Sequence, residues 1–405
     1  MKAKQIKKFI YGLLARLISS IFPVRKRLWI FGADVGNMYR EGSKYLLEYM
    51  IAHHPEYNCY FITQSKDVCE ELRGKKIPCV MNLSIKGVWL AIRAECVFTT
   101  QTAADILFAF KKPKRHYYYL VHGQPYKVAI VALSKTDYGK RAVFNDTTKF
   151  KKIIKAIKTW FYSCLVCDTT CLDSEFVSAT SEFLSGLQKL DFGEGMPLKI
   201  LGMPRNDALF QSERMCKEKW IKEAEGKFVI TYMPTHRLYG KGAFSPAPFA
   251  NRSDVQGWMR DNNVMLFVKN HPTMMLYKKG YQPYESDCIR DISALGIDPM
   301  TAIYHSDVLI TDYSSVWMDY LLLKRPLLFY IYDDFVHDDV GVYYDLSKES
   351  VGEFCYSEDD LFAALRKVKD NYSDMCPSDE VVRKFHKYQD GKSCERYYNE
   401  IANEL

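Results

Sequence analysis

Apolar side chains recur along this chain in two registers. Short runs of three to seven residues, rich in β-branched and aromatic side chains, occur at 28–32, 58–63, 96–100, 117–121, 169–172, 199–201, 228–232, 264–268, 308–311 and 326–332, and read as strands. Between them, apolar positions repeat every three or four residues at 41–54, 67–73, 85–93, 175–187, 213–224, 254–261, 316–323, 359–368 and 380–404, and these read as helices. Strands that are apolar throughout are buried on both faces, so the alternation predicts parallel sheets with helices on either side. A chain of 405 residues holds more than one such core. The pattern divides it into an α/β unit at 27–201, a second at 202–378 and a helical segment at 379–405.

Residues 1–26 stand apart. Ile6, Phe9, Ile10, Leu13, Leu14, Leu17, Ile18 and Ile21 form a helical stripe, with lysines and Arg16 on other faces or at its flanks. A signal peptide also begins with basic residues, but Arg16 interrupts the apolar region and no small-residue cleavage site precedes Pro23. The pattern predicts an amphipathic helix on an anionic membrane surface, with docking on the core as the alternative.

Charge supports that placement. The net charge is +7, and residues 1–30 hold eight basic side chains and no acidic one, leaving 48 basic against 49 acidic in the rest. Basicity confined to one end argues against a nucleic-acid footprint over the whole protein. Residues 133–149 are polar and aperiodic and read as a loop. The basic, amphipathic stretch 151–161 reads as a second membrane-contacting helix or as a solvated face. No run reaches the ~18 apolar residues of a membrane span. The twelve cysteines are scattered. The tight group Cys164, Cys167 and Cys171 lies among apolar residues with no nearby histidine, which suits buried thiols in a reducing compartment better than a metal cluster.

The stretch with the clearest chemistry joins the runs at 308–311 and 326–332. Its turn, Asp312-Tyr313-Ser314-Ser315, sets small hydroxyl residues where a helix presents its first N–H groups, at the carboxyl end of a parallel strand. Such a turn suits a phosphate; the alternative is that Ser314 or Ser315 only caps the helix. There is no Walker A loop and no GxGxxG. Asp333-Asp334 and Asp338-Asp339 lack the Asp-x-Asp form of a metal–diphosphate bridge, so neither a metal nor a cofactor is implied.

The segment ITDYSSVWMDYLLLKRPLLFYIYD resembles the signature of the CDP-glycerol glycerophosphotransferases, the teichoic-acid primases and polymerases and their capsule-forming relatives. Val121-His122-Gly123-Gln124-Pro125, Gly202-Met203-Pro204-Arg205-Asn206-Asp207, Met233-Pro234-Thr235-His236-Arg237 and Lys269-Asn270-His271-Pro272 match in order, so the resemblance runs from about Arg27 to Asn399. It implies a GT-B-like fold, two Rossmann-like domains with the active site in the cleft between them. It also implies membrane attachment, since the family's acceptors are lipid-linked. Transfer from a phosphodiester needs a base for the acceptor hydroxyl and donors for charge on the phosphate. The family's His-Gly motif makes His122 the general base, and His271 corresponds to a second required histidine, a phosphate donor or an acid toward the leaving group. Arg237 offers a planar fork for phosphate, Thr235 a hydroxyl, and Asp312, Ser314 and Ser315 complete the nucleotide-diphosphate pocket. Asp319 is placed to hold a ribose or glycerol hydroxyl. Lys269 reads as added charge or as a rim lysine, and Arg205 as a phosphate contact or as part of a turn-fixing Arg205-Asn206-Asp207 unit.

Some positions depart from the family pattern. Val121 and His236 stand where tryptophan is common, Gln124 and Tyr126 where threonine and leucine are, and Val340-Gly341-Val342 replaces Arg-Gly-aromatic. These departures touch acceptor and alditol choice more than phosphate chemistry. The expected activity is transfer of glycerol phosphate, or a related alditol phosphate, from CDP-glycerol to a lipid-linked glycan hydroxyl at the cytoplasmic face of the membrane, with release of CMP. The short stretch before the first strand favours addition of one or few units over polymerisation. The rivals are a GT-B enzyme using a nucleotide sugar, and a non-catalytic nucleotide- or lipid-binding membrane module.

Overall fold

The structure, a computed structural model, describes residues 3–130, 132, 160–162, 164–212, 222–235, 247–271, 283–333, 341–349 and 351–405. The expected loop at 133–149, nearly all of 151–161, most of the helix at 213–224, and His236 and Arg237 lie outside the described residues. The chain divides into two compact units. One comprises Met1–His122, Ala129–Asp207 and Lys392–Leu405; the other comprises Gly123–Val128 and Ala208–Gly391. The division departs from the expected boundaries: the first unit takes in residues 1–26 and keeps 202–207, the stretch 123–128 joins the second unit, and 379–405 is shared between the two.

The first unit runs α1 (Ala3–Ile21), β1 (Arg25–Phe31), α2 (Glu41–His53), β2 (Asn58–Thr63), α3 (Lys66–Gly74), β3 (Cys79–Met81), α4 (Ile85–Arg93), β4 (Ala94–Thr99) and β5 (His116–Tyr119). Its strands form a parallel sheet in the order β3-β2-β1-β4-β5. Every position of β4 is buried, which is why the sequence shows an unbroken apolar run there. Ser65 and Ser84 start α3 and α4 by accepting the N–H groups of Val68 and Gly87. A smaller parallel pair, β6 (Val177–Ala179) and β7 (Leu198–Ile200), is linked through α5 (Glu182–Phe192).

The second unit runs β8 (Phe228–Met233), α6 (Ser253–Asp261), β9 (Val264–Val268), β10 (Ile289–Asp291), α7 (Pro299–Tyr304), β11 (Val308–Thr311), α8 (Val316–Leu321), β12 (Leu327–Tyr330), β13 (Glu353–Cys355), α9 (Glu358–Asp370) and α10 (Asp379–Phe385). Its parallel sheet has the order β10-β9-β8-β11-β12-β13. Trp317 of α8 is fully buried and meets Phe329 and Phe385 edge-on. The last helix, α11 (Ser393–Glu404), belongs to the first unit. Winding reverses between β1 and β4 in one sheet and between β8 and β11 in the other. Ligands of open parallel sheets sit at the carboxyl ends of the strands flanking such a reversal.

Three expected elements are corrected. The run 169–172 is not a strand: Cys171–Asp173 is a single 3-10 turn, because Thr170 and Asp173 bond the local backbone in a capping box. The helix expected at 175–187 starts later, at Glu182, where Ser181 accepts the Leu184 N–H, and Val177–Ala179 before it pairs as a strand. The helix expected at 380–404 breaks into α10 and α11, with Gly391 between them at φ +66°. The described cysteines, Cys164, Cys167 and Cys171 included, are free thiols, and no cluster of metal-ligating side chains occurs among the described residues.

Helix α1 carries two apolar faces. Ala15 is fully buried and Phe9, Tyr11 and Ile18 pack against the first core, whereas Ile10, Leu13, Leu14, Leu17 and Ile21 are 51% to 73% exposed. Lys112 fastens the end of the helix by donating to the carbonyls of Ser19 (2.8 Å), Phe22 (2.6 Å) and Ile92 (3.1 Å).

Candidate active site

In the second unit the reversal point is furnished by three adjacent strand ends, those of β9, β8 and β11. Met233 and Thr311 are register partners, so the residues after them leave the sheet side by side. Asp312 is fully buried and accepts the Thr235 N–H at 2.8 Å, tying the β8 and β11 turns together. The Thr311 hydroxyl donates to the Met233 carbonyl at 2.7 Å. Ser314 and Ser315 are half-buried, and Ser315 opens α8 without a side-chain capping bond, so capping is not what its hydroxyl does here. That hydroxyl faces Gly123: a Cβ at residue 123 would lie 2.7 Å from it. Asp319 is buried one turn into α8.

Lys269, Asn270 and His271 follow β9. Lys269 is buried rather than a solvated rim lysine; its N–H donates to Tyr232 at 2.9 Å, and its charge opposes the upward push that burial gives the Asp291 carboxyl. The Asn270 N–H donates to Ser293 Oγ at 2.8 Å, and His271 is half-buried. From the same unit, the short segment Gly123–Val128 brings Lys127, which sequence reasoning passed over. Its Nζ donates to Thr235 Oγ1 at 3.4 Å, and it is bridged antiparallel to Val342, with the Val128 N–H on Gly341 (3.2 Å) and the Tyr343 N–H on Tyr126 (2.9 Å). The available signal was its place two residues after Pro125 in a motif already singled out. Behind α8, buried His386 donates from Nε2 to the Met318 carbonyl at 2.6 Å, and burial pulls its pKa down to about 4.

In the first unit His122 lies just beyond β5 with an exposed side chain. Arg205, by contrast, is buried and bonded locally: its Nη1 is 2.5 Å from Glu41 Oε2 and 2.5 Å from the His122 carbonyl. The rest of its motif is structural. Gly202 adopts φ +84° against Ser393, and the Asp207 carboxylate accepts the N–H groups of Ser393 (2.8 Å) and Cys394 (2.7 Å) at the start of α11.

Of the residues picked out from sequence, Thr235, Asp312, Ser314, Ser315, Lys269 and His271 stand at neighbouring strand ends in one unit, whereas His122 and Arg205 are joined in the other. The first group offers N–H, hydroxyl and cationic donors suited to a polyanion. The second holds one histidine at a strand end.

A family model described as CDP-glycerol:poly(glycerophosphate) glycerophosphotransferase matches residues 14–403. The teichoic acid poly(glycerol phosphate) polymerase of Bacillus subtilis (strain 168) is 26% identical over 418 residues, covering 99% of this chain and 52% of that protein, so the chain spans about half its length. The teichoic acid glycerol-phosphate transferase of Staphylococcus aureus (strain NCTC 8325 / PS 47) is 25% identical over 413 residues, covering 96% of this chain and 98% of the relative. Among solved structures, the wall teichoic acid polymerase TagF shares the fold with a TM-score of 0.73 at 22% identity, over 100% of this chain and 94% of that one. The chain therefore belongs to the CDP-glycerol:poly(glycerophosphate) glycerophosphotransferase family.

Proposed function

We propose that this protein transfers an alditol phosphate, glycerol phosphate first among them, from its CDP ester to a hydroxyl of a lipid-linked glycan during synthesis of a cell-surface polymer. The observation that carries the reading is the clustering of Thr235, Asp312, Ser314, Ser315, Lys269 and His271 on the adjacent ends of β9, β8 and β11, within a chain that matches the family over 14–403. His122 takes the proton of the acceptor hydroxyl. The oxygen attacks the phosphorus that bears glycerol, the diphosphate linkage breaks, and CMP leaves with the electron pair. His271 donates to the transferred phosphate or to the leaving CMP, Lys269 and Arg237 balance the charge that develops on the phosphoryl oxygens, and Thr235, Ser314 and Ser315 hold the donor's diphosphate. Asp312 holds the β8 turn in place for that task, and Asp319 serves a ribose or glycerol hydroxyl.

The test is CMP release from CDP-glycerol, with CDP-ribitol and UDP-sugars in parallel, a membrane extract as acceptor and His122→Ala as control. Release from CDP-glycerol that disappears in the variant supports the reading. Turnover of a UDP-sugar alone would replace it with glycosyl transfer on the same fold, and binding of nucleotide without turnover would favour a silent membrane module.

We also propose a peripheral position on the cytoplasmic face of the membrane. No helix among the described residues is long and apolar enough to cross a bilayer. Helix α1, docked by one face, turns Ile10, Leu13, Leu14, Leu17 and Ile21 outward within residues 1–30, which carry eight basic side chains and no acidic one, and this suits an anionic lipid surface. Deleting the helix would uncover the core around Ala15, so the sharper variant is Leu13→Glu with Leu17→Glu. It should leave the fold intact and abolish co-sedimentation with anionic vesicles; unchanged co-sedimentation would remove α1 from that role.

A further inference from the structure

Arg205 and Glu41 are far apart in the chain and meet in the interior of the first unit, with side-chain exposures of 8% and 15%. One guanidinium nitrogen, Nη1, reaches both the Glu41 carboxylate and the backbone carbonyl of His122, each at 2.5 Å. Each partner is fixed by the fold. Glu41 opens α2 at φ +61°, a left-handed setting unusual for a residue with a side chain, and the next two residues hold the helix start in place. Gly42 lies against Leu120, where a Cβ would come within 3.2 Å, and the Ser43 hydroxyl donates to the Gly32 carbonyl at 2.8 Å. On the other side, the Leu120 N–H makes its bond to the Thr99 carbonyl at 2.7 Å, after which the chain leaves the sheet. His122 is two residues beyond that bond, with its imidazole exposed.

A hold on the His122 backbone keeps the point from which that imidazole projects constant. A neutral donor would supply a weaker one than a guanidinium, whose Nη1 carries two N–H groups, one for the carboxylate and one for the carbonyl. A buried guanidinium in turn needs a carboxylate to compensate its charge, and Glu41 provides it. A cation already neutralised inside the protein is poorly suited to holding a donor phosphate.

We propose that the Arg205–Glu41 pair is a positioning device for His122: it fixes the peptide backbone of residue 122, from which the imidazole projects, and does not bind the donor. The proposal rests on His122 being the base. Misplacing a reacting group by about 1 Å costs on the order of 100-fold in rate, so the signature is a loss in kcat with donor affinity kept.

The experiment measures kcat and the KM for CDP-glycerol in Arg205→Ala, Arg205→Lys and Glu41→Gln, with His122→Ala alongside and added guanidinium as a rescue agent for Arg205→Ala. The expected result is a kcat lowered at least tenfold in each, a KM within about twofold of wild type, and partial recovery of Arg205→Ala by guanidinium with none for His122→Ala. Arg205→Lys keeps a cation opposite Glu41, so it reports the same split if the alanine variant does not fold. A KM raised tenfold with kcat kept would make Arg205 a donor ligand, and a folded Arg205→Lys with wild-type kcat would show that nothing is positioned; either overturns the proposal. If instead His122→Ala turns over normally, the base assignment itself falls, and the proposal falls with it.

Discussion

The carboxyl edges of the two parallel sheets are furnished in opposite ways. At the β9, β8 and β11 ends of the second unit stand several donors of different kinds: the Thr235, Ser314 and Ser315 hydroxyls, the Lys127 and Lys269 ammonium groups and His271, around the buried Asp312. At the β5 end of the first unit one imidazole is exposed, and the charged groups beside it are occupied with each other and with its backbone. Many donors spread over neighbouring strands suit a ligand whose charge is itself spread over several oxygens. One held side chain suits a single proton transfer. Substitutions of the hydroxyls at the first edge should therefore appear in KM, those of Lys269 and His271 in kcat as well, and those at the second edge in kcat alone.

The largest effect belongs to the single group. His122→Ala should lower CMP release by about 10³-fold, within the range for loss of a general base, and leave the donor KM within about a factor of two. A loss of less than tenfold would break the contrast, since it would mean that the exposed histidine is not where the proton goes.

Acid should separate the two edges in another way. His386, behind α8, has a native pKa of about 4 against an ordinary 6.5. The native state thus refuses a proton that the unfolded chain accepts. Its contribution is complete above pH 6.5 and is lost as pH falls from 6.5 toward 4, by roughly 3 kcal/mol in all. Urea unfolding at a series of pH values should show this slope in the wild type and a shallower one in His386→Gln, whose amide still donates to the Met318 carbonyl. Equal slopes would mean that the supporting layer of the donor edge is no more acid-sensitive than the rest.

How much of this could be read beforehand follows from how local each signal is. The central strands β1, β2, β4, β8, β9 and β11 are buried runs of four to seven residues, and such runs mark themselves by composition alone. The edge strands β3, β10 and β13 have three residues each, too few to show a period. The Asp312-Tyr313-Ser314-Ser315 turn was legible because strand, hydroxyls and helix follow one another in sequence. The Arg205–Glu41 pair was not, because its members are 164 residues apart and Glu41 is locally just the first residue of a helix. The break between α10 and α11 was missed for a related reason: Asp207 anchors the second helix from a distant motif.

The smallest expected effect tests the donor edge most directly. A Cβ on residue 123 would lie 2.7 Å from Ser315 Oγ, too close for either to stay in place. The atom it meets ends a short side chain that can rotate, so Gly123→Ala should displace the hydroxyl and leave the fold unharmed. If that hydroxyl donates to a donor phosphate, its displacement costs one hydrogen bond to a charged group, about 1.5 kcal/mol, or roughly a tenfold rise in the KM for CDP-glycerol with kcat little changed. Ser315→Ala removes the same bond by deletion and should show the same rise. The two substitutions act on one interaction, so the double variant should be no worse than either single one. Multiplying effects would mean that residue 123 and the hydroxyl act separately, and that Gly123 is needed for a backbone path into the second unit. A melting temperature lowered in Gly123→Ala and recovered in the double variant would show the clash being relieved through packing, which would make Ser315 part of the frame of the site and leave the binding to its neighbours.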